Sequence, residues 1–109
     1  MRRGVEIEIV RWGLELRMTG RLDSRSSTAA RLSLHEQVDG GAGDLTVDLA
    51  GTEIWDGAGL GVIVGTSRRA RRAGRRLVLS QVSPREFRML RVARVPRTAL
   101  VRPAPVPAG

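Results

Sequence analysis

The chain of 109 residues contains no cysteine, no lysine and no tyrosine, and its only aromatic side chains are two tryptophans and one phenylalanine. Without cysteine there can be neither a disulfide framework nor a thiolate metal site. His35 is the single histidine, so an imidazole-built transition-metal centre is excluded too, and the sequence reads as carrying no metal and no cofactor. No stretch approaches the roughly 18–20 apolar residues that span a bilayer. The N-terminal MRRGVEIEIVRWG interleaves glutamates with its apolar residues, unlike the continuous apolar core of a signal peptide. The expectation is a cytoplasmic protein with no membrane partner.

Arginine is what the chain has in excess. All 19 basic residues are arginine, against 11 acidic ones, for a net charge of +8. The planar guanidinium fork suits phosphate and carboxylate alike, which brings nucleic acid into consideration. None of the three aromatics lies within the arginine cluster at 68–76, so no platform for stacking bases is visible. Lysine replaced throughout by arginine also fits the codon bias of a GC-rich genome. A basic surface that meets an acidic protein partner is the preferred reading, ahead of nucleic acid.

Hydrophobic periodicity predicts a β-β-α-β-α-β-α-β order. Val5, Ile7 and Ile9 alternate with glutamates, and Leu14, Leu16 and Met18 resume the alternation after a Trp12-Gly13 turn, which is a hairpin pattern. A helix is expected over Ser24–Val38, with Asp23 or Ser24 as its cap and Ala30, Leu34 and Val38 inward. Leu45, Val47 and Leu49 mark a strand, and a helix should follow from about Gly57 to Ala73, with Leu60, Ile63, Ser67, Ala70 and Gly74 on its core face. The run Leu77-Val78-Leu79 suggests a strand buried on both faces. Ser83-Pro84-Arg85-Glu86 is a capping box that opens a third helix reaching Val92 or Ala93. A last edge strand is expected over Thr98–Val101. The fold class is therefore α/β, a mixed sheet of about five strands with helices packed against it. The domain should occupy residues 1–101, followed by a disordered Pro/Ala-rich tail at 102–109.

The catalytic patterns are missing. Gly57-Ala58-Gly59-Leu60-Gly61 is a glycine-rich turn before a helix, but a dinucleotide fingerprint needs a glycine where Val62 stands, and a Walker loop needs a lysine. His35 has no nucleophile assigned to it and reads as a surface histidine, and the carboxylates show no spacing that isolates an acid/base pair. The chain is not expected to be an enzyme.

The strand-to-helix junction carries more information. Leu45–Leu49, Ile54-Trp55-Asp56-Gly57-Ala58-Gly59-Leu60-Gly61, Gly20-Arg21-Leu22-Asp23 and Ser83-Pro84 together resemble the STAS domain of anti-sigma factor antagonists. The resemblance covers about residues 5–101 and implies a STAS-like mixed sheet. It also implies a protein partner: an anti-sigma factor of the GHKL kinase-like type, whose capture frees a sigma factor. In that family the junction usually reads Asp-Ser-Ser-Gly-Leu, and the partner phosphorylates the second serine to break the complex. Here Gly57 and Ala58 occupy the two serine positions, so the phospho-acceptor equivalent, Ala58, has no hydroxyl. The resemblance thus implies either a constitutive antagonist or a protein that binds its partner by another logic. The nearest hydroxyls along the sequence are Thr52, Thr66 and Ser67.

Helical geometry places Gly61, Gly65 and Arg72 opposite the expected core face. Exposed helical glycines cost about 0.8–1.0 kcal/mol each relative to alanine, and they let another backbone approach closely. Together with Asp23 and the Asp56-Gly57-Ala58-Gly59 junction that the resemblance implies, Gly61, Val62, Gly65, Arg68 and Arg69 are the candidate partner-binding residues. Two rival classes stay open. One is an accessory or scaffold STAS subunit of a larger assembly, stressosome-like or serving a lipid-transport ATPase; the other is an arginine-rich nucleic-acid-binding domain. Whether the domain forms a homodimer is also left open.

Overall fold

The computed structural model of the chain describes residues 4–105. Eight principal elements follow in order: β1 (Val5–Arg11), β2 (Glu15–Leu22), α1 (Ser27–Asp39), β3 (Asp44–Ile54), α2 (Gly57–Arg72), β4 (Arg76–Val82), α3 (Pro84–Val92) and β5 (Ala99–Pro103), with a 3-10 turn at Val95–Arg97. The strands form one sheet in the order β1-β2-β3-β4-β5. The β1–β2 hairpin is antiparallel and every other neighbouring pair is parallel. The expected α/β mixed sheet of five strands is what forms.

Alternation along the strands separates the two faces of the sheet. Leu16 pairs with Val47, and Val47 with Leu79. These residues, with Leu45, Leu49 and Leu77, join Ala30, Leu34 and Val38 of α1, Val62, Ile63 and Ala70 of α2, and Leu90 of α3 in one buried cluster. The other face is polar over β1–β3: Arg17 reaches Glu8 across β1 (3.3 Å) and Asp48 across β3 (3.8 Å). On that face of β4, Val78 is only 2% exposed, as its continuous apolar run led one to expect.

The first strand departs from expectation. Val5 and Ile7 are half-buried, but Ile9 is 45% exposed beside Val10 and Trp12, because β1 is an edge strand whose far end no helix covers. The turn after it is anchored: Gly13 sits at φ +70, the left-handed region that favours glycine, and its N–H donates to the buried Gln37 Oε1 at 2.7 Å. At the other end of the chain β5 runs on to Pro103, and the Ala104 N–H donates to the Val82 carbonyl. Arg102 and Pro103 therefore belong to the sheet and not to a tail, since strand pairing satisfies their backbone. Residues 106–109 of the expected disordered tail lie outside the described residues.

Two charged side chains hold elements together beyond what the sequence signalled. Arg75, only 6% exposed, donates to the carbonyls of Gln37, Val38 and Gly43 at 2.9 Å each, and also to that of Gly13. One guanidinium thereby closes the end of α1, the loop after it and the hairpin turn. Glu86, 5% exposed, accepts from the Ser83 hydroxyl of its own capping box and from the Ile54 N–H at 3.3 Å. It ties the start of α3 to the end of β3. Burial pushes its carboxyl up, but the Ser83 hydroxyl, the Ile54 N–H and the Arg85 guanidinium together outweigh burial and hold it below its ordinary value.

Candidate functional site

The second half of β3 overshoots β4. Asp44–Asp48 pair with β4, whereas Gly51–Ile54 pair only with β2, through Thr19–Leu22. The ends of β2 and β3 thus leave the sheet side by side, joined by the Trp55 N–H donating to the Leu22 carbonyl at 3.0 Å. This geometry brings the Asp23 and Asp56 segments together, although 32 residues separate Ser24 from Asp56 in sequence.

Asp56 is the N-cap of α2, in extended backbone at φ −152. Its Oδ1 accepts from the Gly59 N–H at 2.9 Å and its Oδ2 from the Ser24 N–H at 3.0 Å. These two donors, Gly59 first, hold its carboxyl below the usual aspartate value. The carboxylate is therefore committed to two backbone groups. Asp23 does similar work one strand away: its Oδ1 accepts from Arg25 N–H (2.9 Å) and Ser26 N–H (3.1 Å), forming a turn that delays α1 until Ser27. The expected helix start at Ser24 is corrected by that turn. Ser26 occupies the cap position but makes no side-chain cap bond, its hydroxyl going instead to the Arg21 carbonyl at 2.9 Å.

The rotation of α2 also differs from the expectation. Its buried residues are Gly59, Val62, Ile63, Thr66, Ser67 and Ala70, while Leu60 is only half-buried and Gly74 is exposed. Gly59 sets this rotation: a Cβ there would fall on the Leu22 carbonyl oxygen, so the helix lies against the end of β2 as only glycine permits. Val62, expected to border the binding strip, is fully buried in the core. Periodicity could not phase the helix because small and apolar residues surround it on most sides. Gly74, at φ +72, ends the helix as expected.

Of the remaining candidates, Gly57, Gly61 and Gly65 recur every four residues, and a Cβ on any of them would meet nothing within 4 Å. Ala58 and Gly61 are exposed and Gly65 is half-exposed. Arg69 is bound within the chain, its Nε and Nη2 bridging to Asp39 of α1 at 3.0 and 2.7 Å, whereas Arg68 is exposed. The three nearest hydroxyls along the sequence are all buried: Thr52 donates to the Met18 carbonyl, Thr66 to the Val62 carbonyl, and Ser67 pairs with Thr98.

Two residues beside the turn escaped the sequence reading. Ser24 is exposed and adjoins Asp56, a proximity that only the pairing of β2 with β3 reveals. Trp55 is 49% exposed with the Arg21 guanidinium stacked 3.9 Å over its ring. A tryptophan left half in solvent immediately before a glycine-rich turn was the available signal for it. His35 is half-buried rather than on the surface, and its Nε2 is buried without a hydrogen-bond partner. Among the described residues, no group of three acidic or histidine side chains gathers as metal ligands, and no helix is long and apolar enough to cross a membrane.

The family model described as Mlab, STAS domain, matches residues 7–102. Among solved structures, the fold is similar to that of a putative anti-sigma factor antagonist from Thermotoga maritima, with 18% identity, TM-score 0.70, and coverage of 89% of this chain and 84% of that one. A STAS domain protein from Planctomyces limnophilus aligns over 95% of this chain and 92% of its own, with 14% identity and TM-score 0.72. The unphosphorylated anti-sigma factor antagonist SpoIIAA aligns over 89% and 86%, with 16% identity and TM-score 0.68. No curated protein matches the sequence.

Proposed function

The chain belongs to the STAS domain family, and from that premise we propose that it is a non-enzymatic regulator in the cytoplasm that captures an anti-sigma factor of the kinase-like type and so frees a sigma factor. The observation that carries the proposal is the open glycine strip on α2. Gly61 and Gly65 lie within the helix, where each destabilises it by about 0.8–1.0 kcal/mol relative to alanine. No neighbouring atom in the chain requires their smallness. A partner backbone lying along α2 would require it. Gly57, Ala58, Gly61, Gly65 and Arg68 form the contact surface in this reading, with Trp55 at its margin as an aromatic anchor. Asp23, Asp56, Gly59, Val62 and Arg69 hold that surface in place from behind.

The same reading makes the complex insensitive to phosphorylation at this turn. Position 58 is exposed at the first turn of α2, where a phosphoserine would add roughly −1.5 to −2 charge to the contact surface. Alanine accepts no phosphate, and the hydroxyls of Thr52, Thr66 and Ser67 are buried, which leaves the exposed Ser24 beside Asp56 as the hydroxyl whose modification the ATP arm would reveal. The test is a titration of the protein against the anti-sigma factors of its own genome, with and without ATP. Tight binding that ATP leaves unchanged, and that Trp55→Ala weakens, is expected; a complex dissolved by ATP would refute the constitutive reading.

A second reading has its own support. The matching family model is described by Mlab and not by an antagonist, which favours an accessory STAS subunit of a larger assembly, such as a lipid-transport ATPase. Affinity capture from native extract separates the two: an ATPase or another STAS protein supports the subunit, a GHKL-type kinase the antagonist.

A further inference from the structure

Where α2 ends, β4 begins and the 3-10 turn leads into β5, the surface opens into a cleft of about 420 Å³. Four arginines line it: Arg71 from the last turn of α2, Arg75 just before β4, Arg76 at its start, and Arg97 from the 3-10 turn. Pro96, Thr98, Ala99 and Leu100 complete the wall, and no carboxylate belongs to the lining.

The four guanidinium groups are not equivalent. Arg76 is paired with Asp44 through Nη2 at 2.8 Å, at an exposed position. Arg75 is buried with its N–H groups committed to the Gln37, Val38 and Gly43 carbonyls, so its guanidinium serves the fold and not a ligand. Arg71 and Arg97 are exposed, and among the described residues neither has an ion-pair partner. Their forks remain open to a ligand. Holding the two uncompensated charges of Arg71 and Arg97 beside one concavity is unfavourable unless an anion neutralises them. The partial negative charge at the C-terminus of α2 offsets only part of that repulsion.

We infer that this cleft binds a small molecule bearing clustered phosphate groups, with Arg71 and Arg97 grasping phosphate oxygens. Paired N–H groups in a planar fork match the oxygens of a phosphate two at a time. Pro96, Ala99 and Leu100 offer an apolar wall for any ring or chain the phosphates carry. The cleft lies at the far end of a 16-residue helix, about 24 Å along its axis from Asp56. Its test uses the protein without a partner, so failure of either proposal is distinguishable from failure of the other.

Isothermal titration with pyrophosphate and with ADP, at about 0.1 M salt, tests this directly. Saturable binding at one site per chain is expected, falling at least about tenfold in Arg71→Ala/Arg97→Ala, as loss of hydrogen bonds to a charged group requires. Arg72→Ala/Arg91→Ala removes two exposed arginines that do not line the cleft, and should bind as the unaltered protein does. Tighter binding of ADP than of pyrophosphate would place a ring against the apolar wall, and equal binding would show recognition through phosphate alone; either supports the site. Absence of saturable binding, an equal loss in both double variants, or equal affinity for a glutamate peptide of matched charge would overturn it. Unchanged thermal unfolding of both variants keeps the comparison one of binding and not of folding.

Discussion

At its N-terminal end α2 presents a capping aspartate amid glycine and alanine; at its C-terminal end it presents arginines around an open cleft. In both places the conspicuous charged residue turns inward. Asp56 is committed to the Gly59 and Ser24 N–H groups, and Arg75 to the carbonyls of Gly13, Gln37, Val38 and Gly43. What faces solvent is the less conspicuous neighbour: Gly57, Ala58 and Gly61 at one end, Arg71 and Arg97 at the other. The difference lies in what each end can recognise. A surface without side chains selects by shape and close approach, whereas an arginine cleft selects by charge. Scaffold and surface are separated residue by residue at both ends, and substitution can test that separation.

The largest effect is expected at the C-terminal end. Arg75→Met keeps much of the buried stem but deprives several backbone carbonyls of their donor, and should destabilise the fold by on the order of 3 kcal/mol, read from the urea midpoint. Arg71→Ala should leave the same midpoint almost unmoved. Equal effects would erase the distinction between scaffold and surface at this end.

Next comes a contrast between glycines on one helix. Gly59→Ala drives a Cβ into the Leu22 carbonyl and should cost about 2–3 kcal/mol. Gly61→Ala and Gly65→Ala meet open space and should each stabilise the domain by about 0.8–1.0 kcal/mol. Thermal unfolding of the three single variants gives the order directly. A destabilised Gly61→Ala would mean that this glycine serves the fold after all.

The smallest effects concern pH. Asp39, Asp44, Asp56 and Glu86 all have carboxyls held below their ordinary values. Their stabilisation is complete above the unfolded-state values of about 3.9–4.3 and is lost as pH falls through the lower folded values. Stability should accordingly decline in acid, and Glu86→Gln should flatten part of that decline. His35 acts in a higher window. Burial, then the Arg69 and Arg31 charges, lower its pKa from 6.5, so folding favours the neutral ring. Its contribution is full above about 6.5 and falls as pH drops through the lower folded value. His35→Leu should remove the slope in denaturation midpoint just below neutrality.

Much of this architecture was legible in the sequence. Alternation in Leu45–Leu49, the Ala30/Leu34/Val38 spacing, the Ser83–Glu86 capping box and the terminating Gly74 each depend on local chemistry, and each forms the element it signalled. What escaped depends on contacts between segments distant in sequence. The phase of α2 is set by Gly59 against Leu22, and the exposure of Ile9 by the position of β1 at the sheet edge. The duties of Arg75 and Arg69 are invisible in a run of arginines, because composition does not say which guanidinium meets a carbonyl, which a carboxylate and which neither. At the candidate site the sequence singled out the Asp56–Gly59 turn and the glycines Gly57, Gly61 and Gly65, which the structure leaves open. It could not separate the residues that build the surface from those that compose it.

The central claim is that the open strip of α2 is a contact surface. Its most direct measurement is the affinity of Gly61→Gln/Gly65→Gln for the proposed anti-sigma factor partner, taken with the variant's unfolding midpoint. The account predicts a midpoint as high as that of the parent, because glutamine is a better helix former than glycine and both positions open into solvent, together with a loss of affinity of at least about a hundredfold, the scale of an interface hot spot. A variant that is equally stable and binds with undiminished affinity would contradict it.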